Sequence, residues 1–175
     1  MNTGKLNEAI NRWIVPFSIT VLVFLATSSL YNMTISLDDL VRIDGEVRQI
    51  RSEKEKNSRG SAYNIFYIYL TSGAKLKIMG DRLFEPYRNA IKKTVLPGDS
   101  ITIYIRTRQQ TILGMGTTNL IYQVEHKGQV LMPLKVMHRH FKGLLIVMLV
   151  ILAGLLTLQV LLIRKRRKNA KYTKW

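Results

Sequence analysis

Three histidines, His126, His138 and His140, are the side chains of this 175-residue chain with the most obvious chemistry, because imidazole ligates zinc and exchanges protons near neutral pH. Zinc needs three or four ligands converging on one point, and the spacing does not supply them. His138 and His140 lie among Arg139 and Lys142 with no carboxylate close by in sequence, and the chain has no cysteine. The pair reads as interfacial, and no metal ligand is assigned. Nucleophilic catalysis finds no support either, since the serines fall in turns and in the first apolar segment, and none groups with a histidine and a carboxylate. Gly114-x-Gly116 lacks the lysine and the strand-to-helix context of a phosphate-cradling loop. The expectation is a non-enzyme with no catalytic residue and no cofactor.

Two other groups of residues carry recognition chemistry. Tyr63, Tyr67, Tyr69 and Tyr104, with arginines and lysines near them, form a possible interaction face of aromatic and basic character. Cross-strand packing on a twisted sheet accounts for such aromatics without any ligand; contact with another protein, or stacking of a sugar or nucleotide, are the further uses. Ala153, Gly154 and Thr157 offer a small-residue groove for helix packing, and Gln159 beside them is a polar group that favours a partner in an apolar setting.

These groups must be held by the elements around them, and the most telling is Gly143–Ile163. It holds 21 uncharged residues, 15 of them Leu, Ile or Val. As a helix it spans roughly 31 Å, the thickness of a bilayer's hydrocarbon core. Residues 13–33 form a second apolar run, bracketed by Trp13 and Tyr31 as interface aromatics, with Pro16 in the first turn where its missing N–H costs little. A cleaved signal peptide ending near Ala26-Thr27-Ser28 is the competing reading of this run.

Charge sets the orientation. The net charge is +16, yet seven of the 27 basic residues lie in 164–175 with no acid among them, starting with Arg164, Lys165, Arg166, Arg167 and Lys168. Cations at a membrane exit follow the positive-inside rule and attract anionic lipid, so they serve as a membrane anchor rather than a nucleic-acid site. The expected organisation is a cytoplasmic tail 1–12, a transmembrane helix 13–33, an extracytoplasmic β domain 38–138, a transmembrane helix 143–163 and a basic cytoplasmic tail 164–175.

The middle region alternates as β structure. Gly45–Ile50 starts a strand, a charged tip over 52–61 turns it back into Tyr63–Leu70, and Ser72-Gly73 turns into Lys75–Ile78. Leu83, Phe84, Tyr87 and Ile91 then share a helical face, capped by Asp81. After Pro97-Gly98-Asp99 come Ile101, Ile103 and Ile105 in alternation, then Leu120–Glu125, and Lys127-Gly128 turns back into Val130–Met132. The fold class expected is a membrane protein of α+β type, two transmembrane helices flanking a small, mainly-β, OB-like domain of about five strands and one short helix. An open sandwich or curled sheet is the alternative.

The segments Gly45-Glu46-Val47, Tyr63–Leu70 and Leu96-Pro97-Gly98-Asp99-Ser100-Ile101-Thr102-Ile103-Tyr104 resemble an uncharacterised family of small bacterial two-span membrane proteins with an extracytoplasmic OB-like β domain. Where that family continues the late strand into a Tyr-Asp-Pro-like ending, this chain has Arg106-Thr107-Arg108-Gln109-Gln110. The resemblance implies architecture and a place in the bacterial cytoplasmic membrane, and no activity. The function expected is a non-enzymatic, membrane-anchored interaction protein, an accessory subunit or immunity-type factor. Its partners are the lipid bilayer and another membrane or envelope protein, with a homo-oligomer possible and nucleic acid excluded. An oligomeric channel or transporter component is the alternative from another class, and an envelope hydrolase a third.

Overall fold

A computed structural model describes residues 14–56, 62–114 and 116–172. Its contacts divide the chain into two compact units, Tyr31–Phe141 and a second formed by Met1–Leu30 with Lys142–Trp175.

The unit Tyr31–Phe141 is built on a six-stranded antiparallel sheet in the order β3-β2-β1-β4-β5-β6. β1 (Val41–Lys56) is long enough to serve two neighbours. Its first half, 41–46, pairs with β4 (Ser100–Ile105), and its second half, 47–56, pairs with β2 (Ala62–Leu70). The change of neighbour coincides with a bulge between Val47 and Gln49, which bends the strand and increases its twist. Gly45 sits just before the bend, where an added Cβ would lie 2.9 Å from Leu70 Cδ1, so a side chain there would require the Leu70 side chain to shift.

β2 continues through Gly73, at φ 88°, into β3 (Lys75–Ile78), and β4 leads to β5 (Ile121–His126) and β6 (Gln129–Met132). Lys127 and Gly128, with φ of 50° and 76°, make the two-residue hairpin turn that matches strand twist. The sheet curls until its β3 side meets the approach to β5: Lys77 and Leu120 form a parallel bridge, and the Lys77 N–H donates to the Asn119 carbonyl at 2.8 Å.

Between β3 and β4 runs a 3-10 turn, Arg82–Phe84, followed by α2 (Glu85–Thr94). The Asp81 carboxylate accepts from the Leu83 N–H at 3.1 Å, and Pro86 lies in the first turn of α2, where no helical hydrogen bond is lost. Phe84, Ile91 and Val95 join Val47, Ile68, Leu70, Ile78, Ile101, Ile103, Ile121, Val124 and Met132 in one core. Full burial of such aliphatic and aromatic side chains contributes about 1.5–3 kcal/mol each. Leu83 and Tyr87, expected on the same helical face, are half-buried against that core.

Against the expectation from sequence, the domain has six strands rather than about five, because the return of the Lys127-Gly128 hairpin is a strand in its own right. It also has a second short helix, α3 (Arg108–Leu113). β1 begins at Val41 and runs through residues 52–56, expected to belong to the charged turn, since their backbone groups pair with 62–66 whatever the side chains' charge.

The other unit consists of α1 (Val15–Thr34) up to Leu30 and α4 (Lys135–Tyr172) from Lys142 onward. Both helices are long and apolar enough to cross a membrane. α4 starts eight residues before Gly143 and continues past Ile163 through the basic run, because Lys and Arg are good helix formers and neither Pro nor Gly interrupts them. Within this unit Ser29 Oγ lies 3.9 Å from Met148 Sδ, and Val23, Ala26, Thr27 and Leu30 face Leu145, Leu149 and Leu152 around an apolar cavity of about 340 Å³.

Candidate functional site

The most unusual chemistry in the β domain lies in its interior. Arg106, directly after β4, is 1% exposed, with Asn32 and Tyr122 fully buried beside it. Asn32 comes from the last turn of α1 and Tyr122 from β5. Arg106 Nη1 donates to Asn32 Oδ1 at 2.7 Å, the Tyr122 hydroxyl donates to the same oxygen at 2.9 Å, and Asn32 Nδ2 donates to the Gly114 carbonyl at 3.0 Å. The guanidinium carbon stands 5.3 Å from the Tyr122 ring centre, close enough for cation–π attraction.

α3 closes one side of this cluster. Thr107 caps it by accepting from the Gln110 N–H, and the Gln110 side chain accepts from the Thr107 N–H at 2.8 Å while donating to the Asp39 carbonyl at 2.7 Å. After the helix come Gly114 and Gly116, both packed on the guanidinium. An added Cβ would come within 2.0 Å of Nη1 at Gly114 and 1.6 Å of Nη2 at Gly116, so neither position accepts a side chain without moving the arginine.

Among the described residues no carboxylate hydrogen-bonds or ion-pairs with this guanidinium. Its Nε and Nη2 are buried with no hydrogen-bond partner among the described residues. Burial lowers the affinity of Arg106 for its proton and raises the Tyr122 phenol well above its ordinary range. An arginine nevertheless keeps its charge.

On the outer face of the sheet, the hairpin of β1 and β2 carries an interlocked polar set. The Tyr69 and Tyr67 hydroxyls donate to Glu53 and Glu55 respectively, Lys75 Nζ meets Glu53 at 2.9 Å, and the same ammonium lies 3.9 Å from the Tyr67 ring centre. Arg51 pairs with Glu53 at 2.6 Å and lies over Tyr69 at 5.1 Å. The Tyr69 hydroxyl and Lys75 hold the Glu53 carboxyl down at about 2, and burial with the Glu55 contact pushes Tyr67 up to about 12.

Among the described side chains of the expected tyrosine face, Tyr67 and Tyr69 come together, their ring centres 6.1 Å apart. Tyr67 is buried and Tyr69 half-buried. Tyr104 is opposite Arg42 on β1 whereas Tyr69 is opposite Gln49, which places it about 20 Å further along the strand. The side chain of Tyr63 lies outside the described residues.

On α4, Gly154 has open space where a Cβ would be, Ala153 is exposed and its carbonyl accepts from the Thr157 hydroxyl at 2.9 Å, and Gln159 is half-buried. Among the anchor residues, Trp13 and the side chains of Lys165, Arg166, Arg167 and Lys168 lie outside the described set, Arg164 is exposed, and Tyr31 packs half-buried against the β-domain core.

The histidines are dispersed. His138 Nε2 is 2.9 Å from the Ile35 carbonyl, His126 Nε2 is 3.4 Å from Asp99, and His140 Nδ1 is 3.2 Å from Asp81, with its ring against Phe84 and Phe141. The fold thus brings Asp81 to His140 although the two are distant in sequence. Among the described residues no three His, Asp or Glu side chains gather at one point.

The tyrosine and basic residues of the hairpin were legible as a motif, but the Asn32–Arg106–Tyr122 cluster was not. One signal was available: Thr107-Arg108-Gln109-Gln110 has the Thr-x-x-Gln spacing of a capping box, which marks a helix directly after Arg106. Comparison of the chain with protein-family models, curated proteins and solved structures finds no match.

Proposed function

We propose that this chain is a non-enzymatic, membrane-anchored interaction protein. In this reading α1 and α4 cross the bacterial cytoplasmic membrane, both termini lie on the cytoplasmic side, and the β domain stands outside, where it contacts another envelope protein as an accessory subunit or immunity-type factor. Confinement to the membrane surface raises the domain's effective concentration for neighbouring membrane proteins.

The observation that carries the reading is the outward apolar surface of α4. Val150 is 67% exposed, and Ile146, Val147, Leu158 and Leu161 are exposed with it. A core helix of a water-soluble domain hides such residues, whereas lipid accepts them. The basic run from Arg164 favours the cytoplasm for the end of the helix.

An OB-like barrel fits the domain as its finer description. β1 pairs with both β2 and β4, a helix follows β3, and β3 meets the approach to β5 in parallel at Lys77 and Leu120. These are features of a small closed barrel whose helix lies between the third and fourth strands.

Crosslinking in intact membranes, followed by mass measurement of the adduct, tests the function. An adduct with an unrelated membrane or envelope protein is the expected result. A defined ladder of this chain alone replaces the reading with a channel or transporter component, and release of the chain from membranes by alkaline carbonate removes the anchor altogether.

A further inference from the structure

α3 ends in two bare apolar side chains. Ile112 is 71% exposed and Leu113 60% exposed. Single exposed apolar residues are ordinary on a protein surface, and Val41, Leu96 and Val130, the other large ones described in the β domain, each stand alone in their segments. Ile112 and Leu113 are consecutive, and they finish a helix whose first turn carries exposed Arg108 and Gln109. Arg108 and Ile112 are four residues apart and share one side of the helix, as do Gln109 and Leu113. Along its exposed side α3 is therefore polar at one end and apolar at the other.

Two tethers within the β domain fix which way that polarity runs. The Gln110 side chain donates to the carbonyl of Asp39, which lies beyond the end of α1 at Thr34. Gly114, directly after Leu113, accepts from Asn32, which lies inside α1. The apolar end of α3 is thus held to the last turn of α1, and its body to the segment that leads away from that helix. If α1 spans a bilayer, its last turn is where the chain leaves the hydrocarbon. A surface that is hydrocarbon at that level and carries a guanidinium one turn further out matches the headgroup region, where apolar side chains reach the acyl boundary and an arginine stem carries its charge to a phosphate.

We propose that α3 is an interfacial anchor: Ile112 and Leu113 sit among the lipids of the outer leaflet beside the last turn of α1, and Arg108 meets a lipid phosphate. The proposal rests on the reading of α1 and α4 as membrane spans, and it adds a third point of contact with the bilayer. Asn32, bonded to both Gly114 and Arg106, joins this anchor to the end of the span.

The chain has no cysteine, so a single cysteine introduced into the full protein carries a spin label at one place. Ile112→Cys, Leu113→Cys, Leu96→Cys and Val150→Cys are each reconstituted, as the only protein, in vesicles of phosphatidylethanolamine and phosphatidylglycerol. Collision of each label with oxygen, which concentrates in lipid, and with a water-soluble nickel chelate gives its depth. All four side chains are exposed, so the labels displace no packed group. Leu96, before the turn into the far end of β4 from Arg106, is the aqueous control, and Val150 reports on α4. The expected result is rich oxygen and poor nickel access at 112 and 113, about 5–10 Å into the boundary of headgroups and acyl chains, with Val150 deeper and Leu96 in water. Nickel access at 112 and 113 equal to that at Leu96, with Val150 in lipid, overturns the anchor and leaves the two spans standing. Exclusion of both reagents at 112 and 113 gives this face to a second copy of the chain and overturns the lipid assignment. A water-exposed label at Val150 removes the spans and the proposal with them.

Discussion

The side chains of this protein differ most in how their charges are met. Glu53 is surrounded by donors, with the Tyr69 hydroxyl, Lys75 and Arg51 all directed at one carboxylate. Its folded value of about 2 lies below that of an unfolded glutamate, so its contribution to stability is complete above about pH 4.5 and is lost as the pH falls toward 2. Thermal unfolding of wild type and Glu53→Gln across this range should show a melting-temperature gap at pH 6 that closes toward pH 2. A gap that persists unchanged at low pH would mean that the carboxylate charge is not what the tyrosine and lysine read. Arg106 is the opposite case. Among the described residues no counter-charge meets it, and it is surrounded by a neutral amide, a phenol and two glycines whose lack of Cβ makes room for the guanidinium.

At the level of elements, α3 shows how a six-residue helix, too short to be stable alone, can persist. Its capping box satisfies the Gln110 and Thr107 N–H groups reciprocally, and the Gln110 side chain also ties it to the Asp39 carbonyl. Thr107→Ala removes one half of the box and should cost about 1 kcal/mol of stability. Because Gly114 and Gly116 follow directly, hydrogen exchange should rise across 108–114 more than in the strands, and uniform change across the domain would contradict this assignment. β1 shows the complementary device. A single strand serves two neighbours because the bulge after Val47 turns it, and the Leu70 side chain packs where Gly45 has no Cβ.

At the scale of the whole molecule, the β domain holds its own core. The unit 31–141 includes the last turn of α1, with Asn32 in the polar cluster, and the first residues of α4, with Val136, Met137 and Phe141 buried in the core. Expressed alone, 31–141 should give a water-soluble domain with β-type circular dichroism and a cooperative thermal transition. A segment cut back to 38–134 should lose that cooperativity, since Asn32, Ile35, Val136, Met137 and Phe141 leave with the ends. Equal stability of the two would show that these helix ends are not part of the folding unit.

Much of this architecture is written locally. Long unbroken apolar runs, the two-residue alternation in Tyr63–Leu70 and Ser100–Ile105, and the Ser72-Gly73, Pro97-Gly98 and Lys127-Gly128 turns follow from hydration and backbone preferences of neighbouring residues. They foretell two lipid-length helices and a set of antiparallel strands. They do not foretell which strands share an edge, because pairing depends on contacts between distant segments. The bulge at Val47, the meeting of Lys77 with Leu120 and the separation of Tyr104 from Tyr69 all came from that source. The buried arginine is the clearest instance. In the chain Arg106 is one cation among 27 and follows a strand like any surface residue. Asn32, Tyr122 and the two glycines Gly114 and Gly116 come from three separate places, and folding must bring them together before the charge loses its water.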